Sequence, residues 1–175
     1  MFSARYISPI HLNNGQFFYV YNARRTNVGI FACGTKGLTL ECVKQRYSPS
    51  LAFVAQDCED ITLEQLDFSP KAGSEVQLAS AADFVQICMC RGTVRVHGCN
   101  FDGAGDDTIN VHGIHFRIIK REGNSITVKF CHPQSYGFLP LHPGDTVAFI
   151  DSATLLEKGR AVIESAVLED ECTIT

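Results

Sequence analysis

The chain has 175 residues, of which 45% are hydrophobic and 19% charged, and a formal net charge of −4. That is enough chain to bury a core, as one domain or two small ones. With no Lys/Arg cluster it offers nothing for a phosphate backbone, so no nucleic acid partner is expected. No apolar run reaches the roughly 18 residues a spanning helix needs, so no membrane is expected either.

The N-terminal stretch MFSARYISPIHLNNGQ lacks the apolar segment of a signal peptide. The protein is then cytosolic, or the chain is a fragment of a longer secreted one.

From residue 29 a repeat begins. Gly29-Ile-Phe31, Ala52-Phe-Val54, Phe84-Val-Gln-Ile87 and Thr108-Ile-Asn-Val111 form one series of short apolar alternations. Gly37-Leu-Thr-Leu-Glu41, Asp60-Ile-Thr-Leu-Glu64 and Gly92-Thr-Val-Arg-Val96 form a second. The markers Ile30, Phe53, Val85 and Ile109 are 23, 32 and 24 residues apart; the long step carries the insertion KAGSEVQLASAA. Period-2 alternation indicates strands, two per repeat. No NG or DG turn joins them, so each strand is expected beside its copy from the previous repeat, about 4.8 Å away. The predicted fold is all-β, a parallel β-helix whose inward positions are Leu, Ile, Val and Phe.

Eight cysteines punctuate the chain. Its size and apolar content argue against a disulfide scaffold, and most are expected to be buried thiols. Cys58 and Cys90 each follow their strand marker by five residues and should be neighbours, as a thiol ladder or as a bridge.

After residue 114 the spacing is lost. FRIIKREGNSITVKFCH reads as a hairpin about a Gly-Asn turn, and LHPGDTVAFID as a turn and a strand. LLEKGRAVIESAVLE holds another strand or two, or a helix. The expected organisation is residues 1–114 as parallel turns, 115–170 as a small antiparallel barrel or sheet, and 171–175 as a tail or return strand.

The stretch richest in chemistry is DGAGDDTINVHG, residues 102–113. It resembles the glycine-rich nonapeptide that binds calcium in β-rolls, but one copy cannot supply about six to eight oxygens. Cys88, Cys90, His97 and Cys99 carry zinc-binding atoms at a spacing that matches no standard site. A solvated acidic turn is the plain alternative. The acid/base reading gains from the repeat. Aligned strands put Asp83 one turn before Asp107, and Gln86 one turn before Asn110. Two carboxylates then share an outward ledge with Asp106 beside them, which raises at least one pKa. Gly103 and Gly105 supply the bend that separates Asp106 from Asp107. Paired carboxylates split into acid and base are what glycosidic hydrolysis uses.

The runs Asp83-Phe-Val-Gln-Ile87, Cys90-Arg-Gly-Thr-Val-Arg-Val-His-Gly-Cys-Asn-Phe101 and Asp106-Asp-Thr-Ile-Asn-Val-His-Gly113 resemble the inverting α-1,3-galactosidases, bacterial glycoside hydrolases with a parallel β-helix and an inserted β-barrel. The resemblance covers roughly residues 25 to 150. It implies a right-handed, pectin-lyase-like β-helix and a catalytic set of Asp83, Asp106 and Asp107. It implies an α-galactoside as substrate, no cofactor and no metal, and a secreted or periplasmic location. By analogy with pectinases Asp106 protonates the leaving oxygen while Asp83 and Asp107 activate water, with the roles exchangeable; Asn110, His112 and Gln86 orient carboxylates or sugar. His112 reads equally as a strand residue bonded to the neighbouring turn. The chain departs from the family in carrying Gln86 where a His is usual, and in its length. Exposed solenoid ends call for a cap or a homo-oligomer. The competing reading is a non-catalytic β-helix module that binds carbohydrate or caps an assembly.

Overall fold

The computed structural model describes residues 13–16, 25 and 27–175, and among these every regular element is a strand. The first ten strands are β1(Ile30–Cys33), β2(Lys36–Glu41), β3(Lys44–Gln45), β4(Phe53–Gln56), β5(Glu59–Glu64), β6(Asp67–Phe68), β7(Val85–Cys88), β8(Arg91–His97), β9(Asn100–Phe101) and β10(Ile109–His112). They form three parallel sheets, ordered β1-β4-β7-β10, β2-β5-β8 and β3-β6-β9. Each of the first three repeats gives one strand to every sheet, and the fourth gives β10 to the first sheet. The registers are those of the sequence spacing: Ile30, Phe53, Val85 and Ile109 form one column, and Leu38, Ile61 and Val94 another.

The expectation of two strands per repeat is corrected to three. The third strands are two residues long, too short for any alternation to show in the sequence. Lys44, Asp67 and Asn100 align in that third sheet, with Gln45, Phe68 and Phe101 beside them.

Inward side chains meet in one core. Phe53, Ile61, Leu63, Leu66, Phe68, Phe84, Val85 and Ile87 are shut off from solvent. The rings of Phe68, Phe84 and Phe101 pack with centroids 5.6 to 5.9 Å apart. Burying each such side chain is worth roughly 1.5–3 kcal/mol. Cys58 and Cys90 are neighbours, as expected, and both are free thiols: the Cys58 amide donates to Cys90 Sγ at 3.4 Å. Corners also stack. Gly34, Asp57 and Met89 follow β1, β4 and β7 and all have positive φ, 61°, 49° and 55°. The first three repeats leave their first strand through the same left-handed position, filled by Gly, Asp and Met in turn.

Six further strands follow: β11(Phe116–Glu122), β12(Ser125–Phe130), β13(Thr146–Ile150), β14(Glu157–Val162), β15(Leu168–Asp170) and β16(Thr173–Ile174). All pair antiparallel, as a sheet β11-β12-β16-β15 and a ribbon β13-β14. The Gly-Asn hairpin forms as read, with Glu122 opposite Ser125 and Gly123 at φ 60°. The stretch in which a helix was one option holds β14 and β15. Val128, Phe130, Phe138 and Ile174 form a second core, which reaches the parallel sheets through Cys88. Burial there pushes the Cys88 thiol up to about 11, with Cys90 adding to the shift.

A polar joint ties the two regions together. Arg91 on β8 donates to Asp57 at 2.7 Å, to Asp145 at 2.6 Å and to the Pro140 carbonyl at 2.9 Å. His142 Nε2 donates to Asp57 at 2.8 Å, and the His142 amide to Asp145 at 2.8 Å. Burial pushes the Asp145 carboxyl up, but the His142 amide and Arg91 outweigh it and hold it below the ordinary range.

Candidate functional site

Three corners lie over one another ahead of β4, β7 and β10. Parallel bridges join Ser48 to Ser80 and Ser80 to Ala104. Ser48-Pro-Ser-Leu51, Ser80-Ala-Ala-Asp83 and Ala104-Gly-Asp-Asp107 are thus equivalent segments, and buried hydroxyls brace them. Ser80 Oγ donates to the Ser50 carbonyl at 2.6 Å and Ser48 Oγ to the Leu51 carbonyl at 2.8 Å. The backbone continues the register, with Phe84 N donating to Asp107 O at 3.0 Å and Ala52 N to Asp83 O at 3.0 Å. Asp83 and Asp107 therefore stand at one position of successive repeats, as the alignment implied.

The glycines of the acidic stretch do more than bend it. A Cβ on Gly105 would lie 2.7 Å from the Ala81 carbonyl oxygen and 2.8 Å from that of Ser80. A Cβ on Gly103, at φ +76°, would collide with the Gln77 carbonyl. The Asp106-bearing corner sits directly on the backbone of the corner beneath it, and only glycine permits that approach.

Asp83, Asp106 and Asp107 come together electrostatically but not on one outward ledge. Asp106 and Asp107 are exposed. Asp83 is 2% exposed. Its position lies between stacked corners, ahead of β7, where the period-2 pattern gives no guide to burial. Burial is the first cause that pushes the Asp83 carboxyl above the usual carboxylate range. The charge of Asp106 adds to this, and that of Asp107 adds less. Arg25 and a hydrogen bond from Asn110 pull the other way. Asn110 Nδ2 donates to Asp83 Oδ2 at 3.4 Å.

Along β7 and β10 Gln86 stands beside Asn110, as aligned, and reaches diagonally to His112, whose register partner is Cys88. His112 Nδ1 lies 2.9 Å from the Gly113 carbonyl and donates to it. Its Nε2 then accepts from Gln86 Nε2 at 3.0 Å. Gln86, Asn110 and His112 thus form cross-strand polar pairs beside the carboxylates. At its far end His112 opens on a surface cavity of about 210 Å³ shared with Ile114, His115, Cys131, His132 and Ser135.

Arg25 escaped the sequence reading. Its Nη2 lies 2.7 Å from Asp106 Oδ2. It precedes the first repeat marker, and 81 residues separate it from its partner. Neither spacing nor motif points to it.

The zinc-type atoms are dispersed. Cys90 faces Cys58, His97 Nδ1 lies 2.7 Å from Glu64, and the Cys99 thiol donates to the Leu63 carbonyl. Among the described residues no group of three or more His, Cys, Asp or Glu side chains is arranged to hold a metal ion.

Comparison with known proteins follows this geometry. Residues 125–174 match the family model of GLAA-B β-barrel domain II. Alpha-1,3-galactosidase A of Bacteroides thetaiotaomicron is 35% identical over 152 residues, which is 86% of this chain and 27% of that protein. Alpha-1,3-galactosidase A of Streptomyces avermitilis is 36% identical over 140 residues, 78% of this chain and 22% of the relative. Alpha-1,3-galactosidase B of Phocaeicola vulgatus is 32% identical over 149 residues, 83% of this chain and 25% of the relative. The resemblance read from the motifs is borne out: the chain is homologous to the α-1,3-galactosidases. It spans about a quarter of the length of the curated relatives it matches.

Proposed function

We propose that this chain, homologous over most of its length to the α-1,3-galactosidases, carries the aspartate centre of a glycoside hydrolase that removes terminal α-linked galactose with inversion. The parallel sheets, in which strands of successive repeats lie side by side, support a right-handed parallel β-helix as the frame, with the region from β11 onward as its small barrel. The observation that carries the reading is the buried Asp83 carboxyl one repeat beneath Asp107, hydrogen-bonded to Asn110 and facing the charge of Asp106. A buried carboxyl whose proton affinity is raised, beside carboxyls open to solvent, is an asymmetry of the kind that glycosidic cleavage uses.

The pectinase analogy gives the acid role to Asp106. The ion pair with Arg25 and the burial of Asp83 favour the exchanged assignment. Asp83 then donates its proton to the departing glycosidic oxygen. Asp106 and Asp107, both open to solvent, hold a water and take its proton as its oxygen attacks the anomeric carbon. Asn110 holds the Asp83 carboxyl, and Gln86 fixes the His112 ring beside it. The substrate is a carbohydrate, as the relatives' names suggest, and a secreted or periplasmic location goes with the family resemblance alone.

The test is release of galactose from an α-1,3-linked digalactoside by the intact chain, followed by polarimetry or NMR for the anomer released. Turnover to the β-anomer, abolished in Asp83→Asn and Asp106→Asn, is the expected result. Binding of the digalactoside without turnover at any pH would favour a non-catalytic carbohydrate-binding module.

A further inference from the structure

We propose that Arg25 is a positioning residue of the aspartate centre: its guanidinium tethers the Asp106 carboxylate and offsets its charge, so that the buried Asp83 faces a paired anion and not a bare one. The proposal rests on the hydrolase reading for its purpose but not for its geometry. Arg25 Nη2 and Asp106 Oδ2 are 2.7 Å apart. The backbone of the Asp106 corner is held where Gly105 rests on the Ala81 and Ser80 carbonyls, and among the described residues the hydrogen-bond partner of the Asp106 carboxylate is Arg25. The same cation bears on Asp83. Among the described residues, the charges that act on Asp83 are those of Asp106, Arg25 and Asp107. Two are anions, and Arg25 is the cation that opposes them.

This arrangement has a chemical consequence. Without Arg25, two anions beside a buried carboxyl would make Asp83 release its proton less readily, and would leave Asp106 free to rotate off the position where it holds water. With Arg25, burial still raises the proton affinity of Asp83, and the cation offsets part of that rise. Guanidinium suits the task because it stays charged at every working pH and offers several donors in one plane.

The experiment follows the Asp83 carboxyl by carbon NMR as pH is raised, on the full chain with side-chain carboxyls labelled. Arg25→Gln is expected to move the Asp83 titration upward, and Arg25→Lys to restore part of it. Asp106→Asn is expected to move it downward, since the cation then faces Asp83 without its partner. An Asp83 titration that is the same in wild type and Arg25→Gln, with the fold intact by circular dichroism, would overturn the proposal. So would an upward movement in Asp106→Asn, which provides the decision if Arg25→Gln does not fold. Where the chain releases galactose, Arg25→Gln lowers kcat by about ten- to a hundredfold through misplacement of the carboxylate. The limb of the pH profile that Asp83 governs moves upward with it. Absence of turnover in the wild type counts against the hydrolase reading alone, since the titrations decide the role of Arg25 without it.

Discussion

The two regions of the molecule are built from the same element and held together by opposite means. In the parallel region every strand between the ends has an equivalent neighbour on each side, and its inward residues are shut off from solvent. In the antiparallel region the strands pair in twos and fours, and the core is smaller: Val128, Phe130 and Phe138 each retain 7% exposure. The strands of the parallel region leave large apolar residues bare at the outer positions of their sheets, such as Val111 at 65% and Phe31 at 55%. The antiparallel region shows them along its length, at Ile118, Ile119, Leu155, Leu156, Val162 and Val167. A repeat concentrates burial in its middle, whereas a small sheet cannot bury its own faces and leans on what it docks against.

That difference predicts where the molecule breaks. The largest effect is expected from Phe84→Ala, which empties the centre of the three-ring cluster and should cost about 3–5 kcal/mol in chemical denaturation. Phe138→Ala should cost less, because its site borders solvent and can relax. Equal losses would refute the contrast. Arg91→Gln should cost about 1.5–3 kcal/mol, since it removes the cation that Asp57 and Asp145 share and leaves them only their bonds from His142. Its signature is regional: amide exchange should accelerate in β12 and β16 while β4 and β5 stay protected. Uniform acceleration would mean that the regions do not separate. Gly105→Ala should cost about 1–3 kcal/mol, because the corner must lift off two carbonyls. It should also impair galactose release more than Phe138→Ala does at matched stability, as Asp106 moves with the corner.

The parallel region was legible because a repeat announces its own pairing. Spacings of Ile30, Phe53, Val85 and Ile109 gave the registers, and the same offset put Asp83 beneath Asp107. Period-2 alternation needs at least three or four residues to appear, so Lys44-Gln45 and its two copies gave no signal. The burial of Asp83 was hidden for a related reason. Alternation says which way a strand residue points, but Asp83 precedes β7 and lies in a corner whose surroundings depend on chain elsewhere. Arg25 was illegible because its pairing with Asp106 is a long-range contact outside the repeat. Gly105 was noticed and misread, since a bend and a close approach call for the same residue.

Two aspartates place the smallest expected effect on opposite slopes of one pH curve. Hydrogen bonds from Ser69 and Asn100, then from Arg46, hold the Asp67 carboxyl down to about 2. Its folded value lies below its unfolded one, so its ionisation stabilises the fold above the ordinary aspartate range, and that contribution is lost as pH falls from about 4 toward 2. Asp83 is the reverse. Burial, then the charge of Asp106, keep its folded value above the ordinary one, so the folded state binds the proton more tightly than the unfolded. Its contribution is fully present at acid pH and is lost as pH rises through the ordinary aspartate value to the folded one. Asp83→Asn, which cannot ionise, should therefore melt higher than wild type near neutral pH while releasing no galactose. Asp67→Asn should melt lower near neutral pH, with the gap closing toward pH 2. Melting temperatures of the three proteins between pH 2 and 7 check both signs. If Asp83→Asn melted lower throughout, the buried carboxyl would be a structural group of the corner and not a strained one held for chemistry.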